Sequence, residues 1–157
     1  MGIAWKKNNK IFFDSIELNN EDLNIETRNL RRIGFTVFDY IIKNIINESI
    51  NDHHLIGIEK QWMGINPEMT MVLVELRGII EGMFYNYSNI EIVGINPRKW
   101  QTEILNVGKK KSKEIKEMSK IYGAKLTGKN PTEDESDSLC MLQWLINNYG
   151  SNIQNSK

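Results

Sequence analysis

The first eighteen residues show the pattern of two short β-strands joined by a turn. Residues 2–5 and 11–18 are rich in β-branched and aromatic side chains, which favour extended strands. The run at residues 6–10 between them contains only lysine and asparagine, which is typical of a surface turn. This pattern predicts an N-terminal β-hairpin.

Apolar residues recur at three- and four-residue steps in longer segments, as they do on one face of a helix. The predicted helices cover residues 22–47, 68–87, 110–122 and 134–149. Residues 99–106 are ambiguous, because their pattern favours neither a helix nor a strand.

Two short segments between these helices are predicted to be buried strands. Residues 55–58 are a continuous apolar run, which is typical of a strand buried on both faces. Residues 90–95 are a second short buried strand that ends at Asn96-Pro97. The elements follow in the order hairpin, helix, strand, helix, strand, helix, helix. This order predicts an α/β fold in which helices flank a sheet, with an antiparallel hairpin first and parallel strands after it.

Composition narrows the class of protein. The chain has 157 residues, of which 40% are hydrophobic and 25% charged, values typical of one globular domain. Because no linker interrupts the sequence, we expect a single domain over residues 1–150 and a loose polar tail at residues 151–157. No apolar run approaches the ~20 residues needed to cross a bilayer. The sole cysteine, Cys140, excludes an intrachain disulfide, so we expect a cytoplasmic protein in which this thiol is buried.

The net charge is zero, but the charges are unevenly distributed. Residues 98–129 carry ten basic and three acidic side chains, an excess that predicts a phosphate-binding face. The alternative is a solvated, lysine-rich helix without a ligand. Ile, Asn and Lys supply 57 of the 157 residues. AT-rich codons favour these three residues, and with the small size this bias suits a virus that replicates in a bacterial cytoplasm.

Glu59 directly follows the apolar run at residues 55–58. A carboxylate at the carboxyl end of a strand occupies the place where open α/β sheets bind ligands. A buried charge there needs compensation, which a divalent cation can supply. Alternatively, Glu59 is the first exposed residue after the strand.

Residues 132–137 combine a predicted helix start with a pair of acids. Thr132 and Glu135 have the spacing of a capping box, which predicts that a helix begins here. Asp134 and Asp137 are three residues apart, so they share one face of the first turn and can hold a hard cation. The alternative needs no metal, because the helix dipole alone favours acids at this position by ~0.3–1 kcal/mol each.

The order of these features is more specific than any one of them. A strand-end carboxylate, a helix–strand unit, a basic segment and an Asp-x-x-Asp helix start follow one another along the chain. Carboxylates that converge from a sheet and a helix can bind two Mg²⁺ ions ~3.5–4 Å apart, which activate water and stabilise the leaving oxygen in phosphodiester hydrolysis. The basic segment would then contact the phosphates.

Five segments resemble, in order, those of the RuvC-type Holliday-junction resolvases. They are Met1-Gly2-Ile3-Ala4-Trp5, residues 55–63 (Leu-Ile-Gly-Ile-Glu-Lys-Gln-Trp-Met), Leu76-Arg77-Gly78, residues 96–102 and residues 133–139. The resemblance extends over residues 1–149 and implies a ribonuclease-H-like mixed sheet that starts with the antiparallel hairpin and is flanked by helices.

The resemblance also implies a Mg²⁺-dependent endonuclease, with Mn²⁺ as a substitute cation, that acts as a homodimer on four-way and other branched DNA. Carried over by position, Glu59, Asp134 and Asp137 are three of four catalytic, metal-binding carboxylates. Trp62 takes the place of a loop aromatic that engages the junction centre, and the alternative is that its indole packs partly in the core. The residues that resemble the phosphate-contacting region are Lys99, Lys109, Lys110, Lys111 and Lys113. The apolar stripe of residues 69–83 is then either internal core or part of the dimer face.

The fourth carboxylate of that family lies on a strand that would precede Met1, and here this chain departs from the pattern. Asp14 is the nearby substitute. The departure has three explanations: a longer native chain, a carboxylate from elsewhere in the fold, or a shortened form that only binds junctions. We favour the first, since loss of a central strand would expose its neighbours. The alternative function is therefore a non-cleaving branched-DNA-binding protein, and a third is a nuclease that prefers forks or flaps.

Overall fold

The computed structural model describes residues 1–7, 10–16, 29–46, 52–60, 67–108 and 110–154. Within these ranges the strands are β1 (Gly2–Lys7), β2 (Lys10–Ser15), β3 (His54–Glu59) and β4 (Ile90–Ile95). The helices are α1 (Leu30–Ile41), α2 (Pro67–Phe84), α3 (Pro97–Leu105), α4 (Ser112–Thr127) and α5 (Glu133–Gln154). A short π-helical turn, Ile42–Ile46, continues α1.

The chain divides into two compact units. Unit 1 is formed by Met1–Ile16 together with Ile95–Lys157, and unit 2 by Glu17–Gly94. Unit 1 therefore contains the hairpin, the basic segment and the acidic start of α5. Unit 2 contains β3 with Glu59 at its end.

In unit 1, the predicted hairpin is confirmed. β1 and β2 are antiparallel, with Gly2 opposite Ser15 and Lys7 opposite Lys10. The rings of Trp5 and Phe12 stack with their centroids 5.5 Å apart, a cross-strand pair that stabilises the hairpin.

Helix α5 is the centre of unit 1, because β1, β2, α3 and α4 all pack on it. The buried side chains of this core include Trp100, Leu105, Val107, Leu139, Cys140, Trp144 and Leu145. The predicted burial of Cys140 is thus confirmed, and burial raises the pKa of its thiol to about 12. α5 continues to Gln154, four residues into the segment expected to be a loose tail.

Helix α3 occupies residues whose pattern was ambiguous, and its start explains why it forms. The Asn96 side chain accepts a hydrogen bond from the backbone N–H of Arg98 at 2.9 Å. Pro97 follows in the first turn, where its missing N–H costs nothing. The Asn-Pro pair was therefore the signal for a helix, although the apolar period was too short to show one.

Gly2 is placed where no larger residue fits. A Cβ at this position would overlap the backbone carbonyl of Asp134 at the start of α5. Because backbone atoms cannot move aside as a flexible side chain does, the hairpin can approach the acidic turn this closely only with glycine here.

We therefore expect Gly2→Ala to lower the free energy of unfolding by about 1–3 kcal/mol, the usual cost of overpacking. Urea unfolding followed by circular dichroism measures this loss. Gly150→Ala is the matched control, since its nearest neighbour would be Ile146 Cγ2 at an ordinary 3.7 Å. Equal unfolding midpoints for Gly2→Ala and the wild type would contradict the packing described here.

In unit 2, α1 packs against α2, and β3 pairs with β4. The α1–α2 contact is close at Gly34, where a Cβ would lie 2.6 Å from Ile79 Cγ2. Phe38 and Phe84 pack across the same interface with ring centroids 4.9 Å apart. The helix predicted over residues 22–47 is seen from Leu30, after the capping residue Asn29, and residues 17–28 lie outside the described ranges.

The predicted α/β class, with an antiparallel hairpin, a parallel strand pair and flanking helices, is confirmed. Two details differ. Among the described residues, the strands form two separate two-stranded sheets rather than one mixed sheet. Every residue of β3 is half-buried, so its predicted burial on both faces was wrong, because a two-stranded sheet covers less of each strand. No helix in the described part of the chain is long and apolar enough to cross a membrane.

Candidate functional site

The start of α5 is built by a capping box. The backbone N–H of Glu135 donates to Thr132 Oγ1 at 3.4 Å, and the Glu135 carboxylate accepts from the N–H of Thr132 at 2.7 Å. The predicted helix start is therefore confirmed. Glu135 also accepts from Ser15 Oγ at 3.0 Å. Burial opposes its charge, but the hydrogen bonds from Thr132 and Ser15 outweigh burial, and the pKa of Glu135 is lowered. Glu135 is thus a structural anion that joins the hairpin to α5.

Asp137 lies two residues further along the first turns of α5, in a different environment. It is half-buried, and Ser119 Oγ of α4 donates a short hydrogen bond of 2.5 Å to its Oδ1. Burial raises the pKa of Asp137, and the charges of Glu133 and Asp134 add to this, against the opposing effects of Ser119 and Lys116. A carboxylate held in place where its charge is disfavoured is a candidate functional group.

Asp134 is the exposed member of the pair, with 67% of its side chain accessible. Its neighbour Glu133 forms an ion pair with Lys116 of α4. The hydrogen bond and the charge of Glu133 raise the pKa of Lys116. The N-terminal ammonium group of Met1 lies 3.5 Å from Asp134 Oδ2, so this ammonium group and Lys116 together offset part of the negative charge of the turn.

The carboxylates of this turn are of the ligand type that a hard cation takes in proteins. Among the described residues, no three His, Cys, Asp or Glu side chains come together as a metal cage. Mg²⁺ is usually held by one or two carboxylates, with waters and substrate phosphates completing its octahedron. Asp134 and Asp137, coupled through their charges in one helical turn, supply such a pair.

Glu59 is the last residue of β3, as predicted, and it is half-buried. Glu59 lies in unit 2, whereas Asp134 and Asp137 lie together in one turn of unit 1. The participation of Glu59 therefore stays a prediction. Asp14 is exposed on β2 opposite Ile3. The charge of Asp14 acts on Glu135, whose pKa it tends to raise, so Asp14 lies near the capping carboxylate.

The four described lysines that resemble the phosphate-contacting region, Lys99, Lys110, Lys111 and Lys113, are all exposed. Lys99 lies on α3, while Lys110, Lys111 and Lys113 surround the start of α4. The helix dipole disfavours positive side chains at a helix N-terminus. An anion bound there is stabilised by the dipole and by the positive side chains. The charge of this surface is therefore of the sign that the predicted phosphate-binding face requires. Lys109 and Trp62 lie outside the described residues.

Sequence reasoning missed Ser119 and Lys116. Both lie on α4, and they reach the acidic turn because α4 packs closely on α5. Gly123, four residues after Ser119, allows this approach, since a Cβ there would be 3.0 Å from Pro131 Cγ and 3.3 Å from Ser136 Oγ. Two small residues four apart in a basic helix were the signal that this face packs against another helix.

We expect Ser119→Ala to lower the free energy of unfolding at pH 7 by about 1–3 kcal/mol, because a half-buried carboxylate loses its donor. The loss should shrink when the pH falls through the raised pKa of Asp137, since the protonated carboxyl needs the donor less. Chemical unfolding at pH 7 and pH 4 measures both values. Ser138→Ala is the control, because Ser138 Oγ donates to the backbone carbonyl of Glu135 and its loss does not depend on pH. The same loss for Ser119→Ala at both pH values would reduce Ser119 to a packing residue.

Comparison with known proteins places the chain in a phage family. The family model described as Lactococcus phage M3 protein matches residues 1–147. No curated protein matches the chain. The match agrees with the viral source suggested by composition. Because it extends over nearly the whole sequence, the chain belongs to the Lactococcus phage M3 protein family.

Proposed function

We propose that this protein is a Mg²⁺-dependent endonuclease of the ribonuclease-H-like class that cleaves four-way junctions and other branched DNA. The observation that carries the proposal is the pair Asp134 and Asp137 in the first turn of α5, with Asp137 held half-buried by Ser119. The order of the hairpin, helices and parallel strands supports the class. The resemblance of five segments to the RuvC-type resolvases supports the substrate.

In this proposal, the residues around the start of α5 have different roles. Asp134 and Asp137 would hold the cation, which when bound would supply the polarisation of water and of the leaving oxygen. Glu59 is assigned as a third carboxylate by the resemblance alone. Ser119 occupies Oδ1 of Asp137 and so fixes the orientation of the carboxylate. Lys116 limits the repulsion among the acids by pairing with Glu133.

DNA binding is assigned to the basic surface and to one aromatic. Lys99, Lys110, Lys111 and Lys113 are exposed and free to contact backbone phosphates, and we include Lys109 by sequence position. Trp62 is proposed to stack on a base at the branch point, a contact that contributes ~1–3 kcal/mol per base where it forms.

A panel of labelled substrates tests the proposal. The purified chain is incubated in Mg²⁺ with a four-way junction, a fork, a flap and a linear duplex of the same sequence. Preferred cleavage of the four-way junction supports a junction resolvase. Equal or faster cleavage of forks and flaps replaces it with a general branch-specific nuclease, and cleavage of the duplex at the same rate overturns the proposed selectivity.

A non-cleaving branched-DNA-binding protein is the second candidate. It is favoured by the place of Asp14, the nearby substitute for the fourth carboxylate of the resolvases, whose charge acts on the capping carboxylate Glu135. Tight binding of the junction without nicks in Mg²⁺ or Mn²⁺ would make this the better account.

We also propose that the protein acts as a homodimer, and α2 is the candidate interface. Val72, Ile80 and Phe84 of this helix are buried, so part of the apolar stripe is internal core. Met69, Met71, Leu73 and Val74 of the same helix are exposed. Of these, Met71 and Val74 are three residues apart and share one face of the helix, and exposed apolar side chains grouped in this way are typical of a surface that meets a partner.

Met71→Asp should then convert a dimer into a monomer, since it places a charge on a side chain that is 62% exposed in the single chain and would be desolvated in the dimer. Size-exclusion chromatography with light scattering gives the mass directly. Ile121→Asp on α4, at a position 68% exposed, is the control and should leave the dimer intact. A wild-type monomer at every concentration tested would contradict the dimer.

A further inference from the structure

Unit 2 holds two cationic side chains that converge on one point of its parallel strand pair. A Cβ built on Gly94 of β4 would lie 2.5 Å from Lys60 Cε and 2.8 Å from Arg77 Nη2. Lys60 directly follows β3, and Arg77 belongs to α2. Glycine at position 94 thus leaves the room in which a lysine and an arginine from two other elements meet.

Arg77 is fixed in this position. Glu81, one turn further along α2, accepts from Arg77 Nε at 2.7 Å and lies 2.6 Å from Nη2 through the same oxygen, Oε1. The Arg77 side chain is only 22% exposed. A guanidinium carries five N–H donors in a rigid fork, so this single carboxylate oxygen leaves donors available to a second anion.

Lys60 adds a second positive charge to that of Arg77. It is exposed, and among the described residues no ion pair is formed by its ammonium group. Glu81 balances the charge of Arg77, so the pair of cations retains an excess of positive charge. Such an excess beside a half-buried guanidinium favours the binding of an anion.

The position of the pair points to a ligand rather than to a purely structural role. Lys60 and Gly94 lie at the carboxyl ends of β3 and β4, the edge where parallel sheets of α/β proteins bind ligands. Arginine matches the geometry of a phosphate with two parallel hydrogen bonds, and lysine adds a point charge.

We propose that Lys60, Arg77 and the backbone at Gly94 form a phosphate-binding site in unit 2, separate from the lysines of α4. Its ligand is a phosphate group, either a backbone phosphodiester of nucleic acid or a free phosphate. The assignment to a DNA phosphate rests on the proposed function, whereas the assignment to a phosphate group does not.

The decisive variant is Gly94→Ala, because it keeps both charges and displaces both side chains. Lys60→Ala is the second variant, and since Lys60 is exposed its loss leaves the fold intact. Gly108→Ala is the matched control, because a Cβ there would meet no atom within 4 Å. Urea unfolding of each variant establishes that it is folded before any binding is measured.

The first measurement titrates the protein with inorganic phosphate and follows the backbone amide signals of residues 60, 77 and 94 by NMR. We expect saturable shifts in the wild type and in Gly108→Ala, and affinity lowered about tenfold or more in Gly94→Ala and Lys60→Ala. No saturable shift in the wild type, or equal affinities in all four proteins, overturns the site. This titration contains no DNA, so its failure is distinct from failure of the proposed function.

The second measurement records the salt dependence of junction binding. Loss of one DNA phosphate contact in Lys60→Ala lowers the slope of log K against log salt by about 0.9. A lower slope together with weaker phosphate binding supports a site for a DNA phosphate. Weaker phosphate binding with an unchanged slope supports a site for a free phosphate and overturns the assignment to DNA.

Discussion

Asp137→Asn is expected to abolish cleavage of branched DNA, by about a thousandfold or more, and to leave DNA binding at the wild-type affinity. A cation-holding carboxylate contributes several kcal/mol of transition-state stabilisation, and each 1.36 kcal/mol is about a factor of ten in rate. Asparagine has nearly the same shape and still accepts the hydrogen bond that Ser119 donates to Oδ1. The variant therefore removes the charge and preserves the packing. Single-turnover cleavage of a labelled four-way junction measures the rate.

The same variant should be more stable than the wild type at pH 7 in the absence of Mg²⁺. Burial raises the pKa of Asp137, so the folded protein holds this proton more tightly than the unfolded chain does. Stability is then highest below the unfolded pKa and falls as the pH rises through the raised folded value. Asparagine does not titrate, so the gain should appear at neutral pH and disappear in acid. If Asp137→Asn gains stability and loses activity, the Asp137 carboxylate has a functional rather than a structural role.

Two further variants define the result. Asp134→Asn should also abolish cleavage, and because Asp134 is exposed it should bring little gain in stability. Glu117→Gln, an exposed position on α4, is the control and should cleave at the wild-type rate. Full cleavage by both aspartate variants would end the assignment of this turn to catalysis.

Replacing Lys110, Lys111 and Lys113 together by alanine should weaken junction binding roughly a hundredfold at ~0.1 M salt. Each phosphate contact contributes about 0.9 to the slope of log K against log salt, so the slope should fall by about 2.7. Unfolding should not explain the loss, because removal of cations from the start of α4 relieves repulsion with the helix dipole. Fluorescence anisotropy at four or more salt concentrations gives the slope.

The control for this experiment is a triple variant with the same change in charge. Lys6, Lys10 and Lys43 are exposed and lie outside the basic segment, so their replacement by alanine should reduce the slope far less. The same slope for the wild type and the Lys110, Lys111 and Lys113 variant would show that these lysines form a solvated helix end without a ligand.

Local signals in the sequence were sufficient to predict the hairpin, the β3 and β4 strands and the start of α5. The capping box of Thr132 and Glu135 is an example, since both hydrogen bonds join residues three apart. α3 was left ambiguous because its start is marked by Asn96 and Pro97 rather than by an apolar period. The two separate strand pairs could not be predicted, because strand pairing depends on contacts far apart in sequence.

The charged residues of the candidate site could be predicted from the sequence, but the residues that hold them in place could not. Asp134 and Asp137 were identified from their spacing, and Glu59 from its place after β3. Asp137 is half-buried and accepts a hydrogen bond from Ser119, which lies 18 residues away on another helix. Nothing in the local pattern specifies such a contact. The same is true of Lys60 and Arg77, which come from two different elements and both lie close to Gly94.

The most direct test of the central claim is to map the cleavage positions on all four strands of an immobile four-way junction, with Mg²⁺ and with EDTA. The account predicts nicks at the branch point on two opposite strands in Mg²⁺, none in EDTA, and none by Asp137→Asn under either condition. Stable junction binding without a nick on any strand, in Mg²⁺ or in Mn²⁺, would contradict the nuclease and establish a protein that binds branched DNA without cleaving it.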